Sequence, residues 1–139
     1  MTTVCSDGKT IAADSRMTFG DKVATDRRIK LYHLGDGIAG FSGHGDEILM
    51  YLEALAKGEK PPSANNINGL KLTNKGLFLM NGPNCIWTRI KAPFAIGTGG
   101  DVAMGAMLAG ASSAKAIKLA AKVDVFTGGT IRSFSKKAI

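Results

Sequence analysis

Short β-prone runs broken by glycine fill the first part of the chain. Residues 2–6 and 9–14 flank Asp7-Gly8, the dipeptide that most strongly signals a tight hairpin. A two-residue loop pairs residue 2 with 13; a loop one residue longer pairs 2 with 14. Either register returns Asp14 to the start of the chain. Residues 29–34 and 37–42 flank Gly35-Asp36-Gly37 as a second hairpin. The period then changes: over 46–57, Ile48, Leu49, Leu52 and Leu55 form one helical stripe, stopped by Gly58 and Pro61-Pro62. Residues 69–73 and 77–80 bracket Asn74-Lys75-Gly76 as a third hairpin, which 85–89 extends. Two helices follow, over 101–109 and 113–122, the second capped by Ser112 or Ser113. Residues 123–127 and 131–134 predict a closing hairpin around Gly128-Gly129, with Asp124 on the strand face of Phe126.

The order is strands, helix, strands, two helices, strands. It predicts an α+β fold with helices packed on antiparallel sheets. No repeat or linker interrupts the 139 residues, which read as a single domain, 1–139. Aromatics make up only 6% of the chain while glycine numbers 18, so close packing of small side chains is expected.

The net charge of +7 raises the question of an acidic partner. The densest basic runs, 26–30 and 135–137, lack the aromatic interleaving of a single-strand binder, so the charge reads as a solvated surface and no nucleic acid is expected. The two cysteines, Cys5 and Cys85, are too few for a disulfide framework or a zinc site, and no metal or cofactor is expected. Asp7 breaks the only early apolar stretch, so no signal peptide is read. The most apolar later segment, 94–114, contains Asp101 and many glycines. No membrane span and a cytoplasmic location are expected. Gly97-Thr98-Gly99-Gly100 superficially suggests a dinucleotide loop, but Val102 stands where the fingerprint needs glycine. A turn approaching another backbone is the better reading.

Chemistry gathers at the start. With Met1 removed, Thr2 carries both a hydroxyl and an α-amine. The amine's ordinary pKa of about 8 lets it take the hydroxyl proton without a histidine. Asp14 then orients the amine or a nearby cation. Gly43, in Phe41-Ser42-Gly43-His44-Gly45, ends a strand just before a helix, where backbone N–H groups can face an oxyanion. No Ser/Asp spacing makes a triad with His44.

Taken together, these segments resemble the proteasome β-subunits and the bacterial proteasome-like peptidase HslV. MTTVCSDGKTIAADSR resembles the family's amino terminus once Met1 is lost. Residues 38–43 resemble the segment that supplies the oxyanion glycine, 95–100 the family's Gly-Ser-Gly loop, and 124–129 its Asp-x-Tyr-Ser-Gly-Gly segment. The resemblance implies the N-terminal nucleophile hydrolase fold, a four-layer αββα sandwich. It implies Thr2 as nucleophile, Asp14 as support for the neighbouring cation, and Gly43 as oxyanion donor. Thr98, Asp124 and Thr127 would hold the amine. Phe41 and His44 would lie near the pocket for the residue preceding the scissile bond. A polypeptide substrate, a homo-oligomeric ring and an ATP-driven unfoldase partner are implied as well.

Two departures qualify that picture. The family's catalytic lysine, preceded by a basic residue and followed by valine or isoleucine, is met in Arg27-Arg28-Ile29 by Arg28, which keeps the charge but sheds no proton. Lys30 lies two residues on, the same side of a strand at about 6.6 Å. The helical layer also reads as reduced, its second helix missing or confined to 61–66. The alternative implied by Arg28 is a catalytically degenerate, ring-forming scaffold.

Overall fold

Strand alternation from the amino terminus sets the architecture. The computed structural model describes residues 2–63 and 65–139. In β1 (Thr3–Ser6) and β2 (Thr10–Ala13), Val4, Ile11 and Ala13 face one core, while Cys5 and Ala12 face another on the opposite side. Two-sided burial of this kind marks an interior sheet.

The remaining strands are β3 (Met17–Phe19), β4 (Lys22–Thr25), β5 (Leu31–Leu34), β6 (Gly37–Gly43), β7 (Ile67–Thr73), β8 (Gly76–Asn81), β9 (Ile86–Ile90), β10 (Phe94–Gly97) and β11 (Arg132–Ser135). The helices are α1 (Gly45–Ala56), α2 (Gly100–Leu108) and α3 (Ser113–Ala120). One antiparallel sheet runs β10-β1-β2-β11, a second β5-β6-β7-β8-β9, and β3-β4 form a separate ribbon.

Between the two large sheets lies a core of Val4, Ile11, Ile38, Leu70 and Leu72, all at most 1% exposed. Burying each such side chain stabilises the fold by about 1.5–3 kcal/mol before entropy is charged. Gly40 is required here, because a Cβ at that position would meet the Val4 side chain and wedge the sheets apart. The outer face of the first sheet is covered by α2 and α3 through Ala103, Met107, Ala116, Ile117 and Ala120. The outer face of the second packs on α1 through Ile48 and Tyr51, against Phe41, Ile67 and Met80. The layers are thus helices, sheet, sheet, helix: the αββα sandwich, with the α1 side reduced. Among the described residues no helix lies between α1 and β7. None of the described helices is long and apolar enough to cross a membrane.

Four local expectations are corrected. The first hairpin takes neither expected register: Val4 pairs with Ala13 and Ser6 with Ile11, leaving a four-residue loop. Asp7 causes this, since its Oδ1 accepts from the Lys9 and Thr10 backbone N–H groups, both at 2.8 Å, and folds the turn around itself. Residues 123–127 form no strand, so the closing hairpin does not exist; the chain turns there, with Thr127 N donating to Asp124 O at 3.1 Å. Asp124 therefore shares no strand face with Phe126; its Oδ1 accepts instead from the Phe126 N–H. β11 pairs with β2 instead. Finally, Leu49 is 53% exposed, and Tyr51 and Ala54 take the buried face of α1 with Ile48.

Candidate functional site

Thr2 immediately precedes β1, an interior strand, and is 4% exposed. Its Oγ1 donates to Asp14 Oδ1 at 3.1 Å. Asp14 follows β2 and is 1% exposed. The hairpin register explains the meeting: Val4 opposite Ala13 puts Thr3 opposite Asp14, and Asp14 N donates to Thr3 O at 3.3 Å.

The Asp14 carboxylate is fully subscribed. Oδ1 also accepts from Thr3 N at 3.1 Å and from Lys30 Nζ at 2.8 Å. Oδ2 accepts from Arg16 N at 3.2 Å and Gly128 N at 3.0 Å. With the Thr2 hydroxyl, five donors thus converge on this one buried side chain.

Lys30 is therefore the cation at Asp14, and Arg28 is not. Arg28 Nη1 reaches Met17 Sδ at 3.1 Å. Lys30, just before β5, points inward and is 7% exposed. Strand-like alternation over 28–30 turns both side chains to one side, but only the nearer of the two to β5 reaches the sandwich interior. Burial pushes the Lys30 ammonium below its ordinary value; the charge and hydrogen bond of Asp14 oppose that, and Arg28 adds to it.

A second network lies beside the first. Asp124 Oδ2 accepts from Thr98 Oγ1 and from Thr127 Oγ1, both at 2.6 Å. Thr127 Oγ1 lies 2.7 Å from Thr3 Oγ1. With the Thr127 proton on Asp124, Thr3 is the donor. Thr3 thereby couples the two networks, its N–H on Asp14 and its hydroxyl on Thr127. Burial alone would raise the Asp124 carboxyl, but the Thr127 and Thr98 hydroxyls and the Phe126 N–H outweigh it and hold it below the usual carboxylate value. Gly97, at φ 96°, and Gly99 let the 97–100 turn press on this end of β1: a Cβ on Gly97 would strike the Thr2 carbonyl, and one on Gly99 the Thr3 hydroxyl.

Thr2 opens onto a cavity of about 740 Å³, whose walls also include Arg28, Lys30, Phe41, Gly43 and His44. Phe41 is 3% exposed and packs against Tyr51 and Trp87, with ring centroids at 5.4 and 6.1 Å, forming a fixed apolar wall. The His44 side chain is largely exposed, with Nδ1 3.9 Å from Glu47 Oε2. Gly43 ends β6 at φ 123°, where a Cβ would collide with the Asn66 carbonyl. The site thus gathers Thr2, Asp14, Gly43, Phe41 and His44, while Thr98, Asp124 and Thr127 stand behind Thr3 and do not line the cavity. Among the described residues, no three His, Cys, Asp or Glu side chains cluster as a metal site.

Sequence reasoning left Thr3 out and set Lys30 second to Arg28. A signal was present for both. Thr3 is a β-branched hydroxyl at an interior strand position, and Lys30 is the basic residue that directly enters the apolar run Leu31-Tyr32.

No protein-family profile matches the chain. It is 32% identical over 83 residues to a proteasome subunit beta of Methanococcus vannielii, covering 57% of this chain and 38% of that protein. It is 34% identical over 74 residues to a proteasome subunit beta of Methanococcus maripaludis, covering 50% of this chain and 34% of that one. The matches thus span little more than a third of those relatives. In three dimensions the BPH of Thiobacillus denitrificans superposes with a TM-score of 0.79 at 17% identity, over 96% of both chains. The eukaryotic HslV of Trypanosoma brucei does so with a TM-score of 0.72 at 20% identity, over 96% of this chain and 97% of that one. The chain therefore has a fold like that of BPH and HslV, and resembles proteasome β-subunits in sequence over about half its length.

Proposed function

We propose that this chain is a threonine-type peptidase with Thr2 as its nucleophile once Met1 is removed. The observation that carries the proposal is the convergence of Thr2 Oγ1 and Lys30 Nζ on one buried oxygen, Asp14 Oδ1, at 3.1 and 2.8 Å. Lys30 beside Thr2 stabilises negative charge on the hydroxyl oxygen as its proton leaves. The Thr2 α-amine takes that proton, and the oxygen attacks a peptide carbonyl. The Gly43 N–H is the proposed donor to the resulting oxyanion. Collapse expels the amine product, which takes the proton from the α-ammonium and leaves an ester on Thr2. The neutral α-amine then deprotonates a water, whose attack frees the acid and restores Thr2.

Thr98, Asp124 and Thr127 act as a supporting group, holding the end of β1 through Thr3. Phe41 and His44 border the place of the substrate side chain before the scissile bond. The whole chain, 1–139, acts as one proteasome-subunit-like domain. Its substrates are unfolded polypeptides, cut in the cytoplasm inside a homo-oligomeric ring fed by an ATP-dependent unfoldase. The competing reading, a non-catalytic ring-forming member, drew on Arg28 in place of a lysine. Lys30 at Asp14 supports catalysis over it.

The test is covalent labelling. The BPH of Thiobacillus denitrificans has been solved in complex with epoxomicin, which makes epoxomicin a suitable probe. Protein beginning at Thr2, verified by intact mass, is expected to gain one adduct and to hydrolyse unfolded peptides. Thr2→Ala gains none. Absence of an adduct on Met1-free wild type would overturn the activity.

A further inference from the structure

The segment that carries Lys30 has little structure of its own. Residues 26–30 belong to no strand, and Ile29 is 57% exposed. A lysine on such a loop is placed only as well as the loop is held. Arg28 supplies the hold through its backbone. Its N–H donates to Ser15 O at 3.0 Å, and its carbonyl accepts from Arg132 Nη1 at 3.1 Å. Arg132 Nη1 also donates to Ser15 Oγ, and Ser15 Oγ donates to the Thr130 carbonyl.

Arg132 opens β11 and pairs with Ala13, the neighbour of Asp14. Among the described residues no carboxylate lies within ion-pair distance of Arg132. Its guanidinium is spent on one hydroxyl and one carbonyl, both in segments flanking the Thr2 site. Both bonds leave one nitrogen, Nη1, whose two N–H directions are fixed in the guanidinium plane, so the two acceptors are held at a set separation. That distance joins Ser15, one residue from Asp14, to Arg28, two residues from Lys30.

We propose that Arg132 is a positioning residue for Lys30, clamping the 26–30 loop to the Asp14 strand so that the ammonium rests on the carboxylate beside Thr2. The proposal rests on the peptidase reading for its consequence in catalysis, but not for its geometry. The charged groups facing Lys30 are Asp14 from the end of β2, Arg28 on its own loop, and Asp124 from the turn after α3. Arg132 acts on none of them as a charge partner, so its loss changes where Lys30 sits among them.

The experiment compares wild type, Arg132→Ala and Arg132→Lys, each beginning at Thr2, with two readouts. The first is the epoxomicin labelling rate against pH. Arg132→Ala is expected to slow labelling about ten- to a hundredfold, the scale of a displaced catalytic group. Its alkaline limb, where the Lys30 charge is lost, should move to higher pH as Lys30 becomes more solvated. Arg132→Lys, whose ammonium can donate to both acceptors but from a flexible stem with no planar guanidinium, recovers part of the rate and covers the case in which the alanine variant does not fold. The second readout is the Lys30 side-chain titration by NMR, which needs no activity. It should move up towards 10.5, the ordinary lysine value, in both variants, and further in the alanine one. A rate loss that only tracks lost folded protein, with an unchanged pH profile and unchanged Lys30 titration, would overturn the proposal. If wild type is never labelled, the peptidase reading fails by itself, and the Lys30 titration still decides the clamp.

Discussion

Lys30 Nζ lies 2.8 Å from Asp14 Oδ1, and both groups are buried. A buried pair is worth little against an apolar substitute, but removing one member strands the other's charge. Lys30→Met is therefore expected to cost about 3–5 kcal/mol in stability and to lose epoxomicin labelling. Arg28→Ala keeps the backbone bonds of Arg28 and loses only a weak contact to sulfur. It should stay within about 0.5 kcal/mol of wild type and keep its labelling. Urea unfolding and intact mass check both. If Arg28→Ala is the variant that loses its adduct, the assignment of the cation is wrong.

Gly43 and Gly35 both have positive φ, 123° and 62°, but differ in surroundings. A methyl group at Gly35 meets nothing within 4 Å, whereas at Gly43 it meets the Asn66 carbonyl that accepts from His44 N at 3.0 Å. Gly35→Ala should cost about 1–2 kcal/mol of backbone strain alone. Gly43→Ala should cost more and also abolish peptide hydrolysis. Equal losses of stability in the two would remove the packing argument.

The sequence was most informative where chemistry and period coincide. Asp7-Gly8 located the first hairpin, and α1–α3 fall within a few residues of where apolar spacing and glycine stops put them. What escaped was long-range. Asp7 lengthens its own loop through side-chain hydrogen bonds, so the register followed a local polar contact that hydrophobic alternation does not encode. Residues 123–127 look like a strand because Val123, Val125 and Phe126 are β-prone, yet Asp124 caps its own turn and leaves Val123 and Val125 70% exposed. The meeting of Thr2 and Asp14 was legible from the Asp7-Gly8 hairpin signal, and Gly43 stood out as a glycine between a strand and a helix. Lys30 over Arg28, and Arg132 across more than a hundred residues, are decided by packing between sheets.

The Asp124 carboxyl lies below its ordinary value of 3.8 because hydroxyl and backbone donors favour its charge. A group depressed on folding contributes stability that is full above its unfolded value and is lost as pH falls through the folded one. Asp124→Asn should be destabilised at neutral pH by about 1 kcal/mol, the low end for a partly exposed hydrogen-bonded charge. It should also lose less stability than wild type on acidification below 3.8. Urea midpoints across the acid range test this; parallel pH curves for the two proteins would contradict it.

Cys5 is fully buried, and burial followed by the charge of Asp7 pushes its thiol up to about 12. Cys85 is partly exposed at the end of the β8–β9 turn. A disulfide reagent at mildly alkaline pH should therefore modify one thiol in the native protein and two after unfolding. Prompt native reaction at both would show that α3 does not cover the first sheet as described.

β1 is flanked by β10 and β2, so Thr2 marks the end of a strand held along both edges. Whatever is fused ahead of it takes the place of the free α-amine beside the 740 Å³ hollow. A purification handle belongs after Ile139, beyond the short 3-10 turn Lys136–Ala138 and away from the amine. Placed at the other end, it would take away the proposed base and make a working protein look inert.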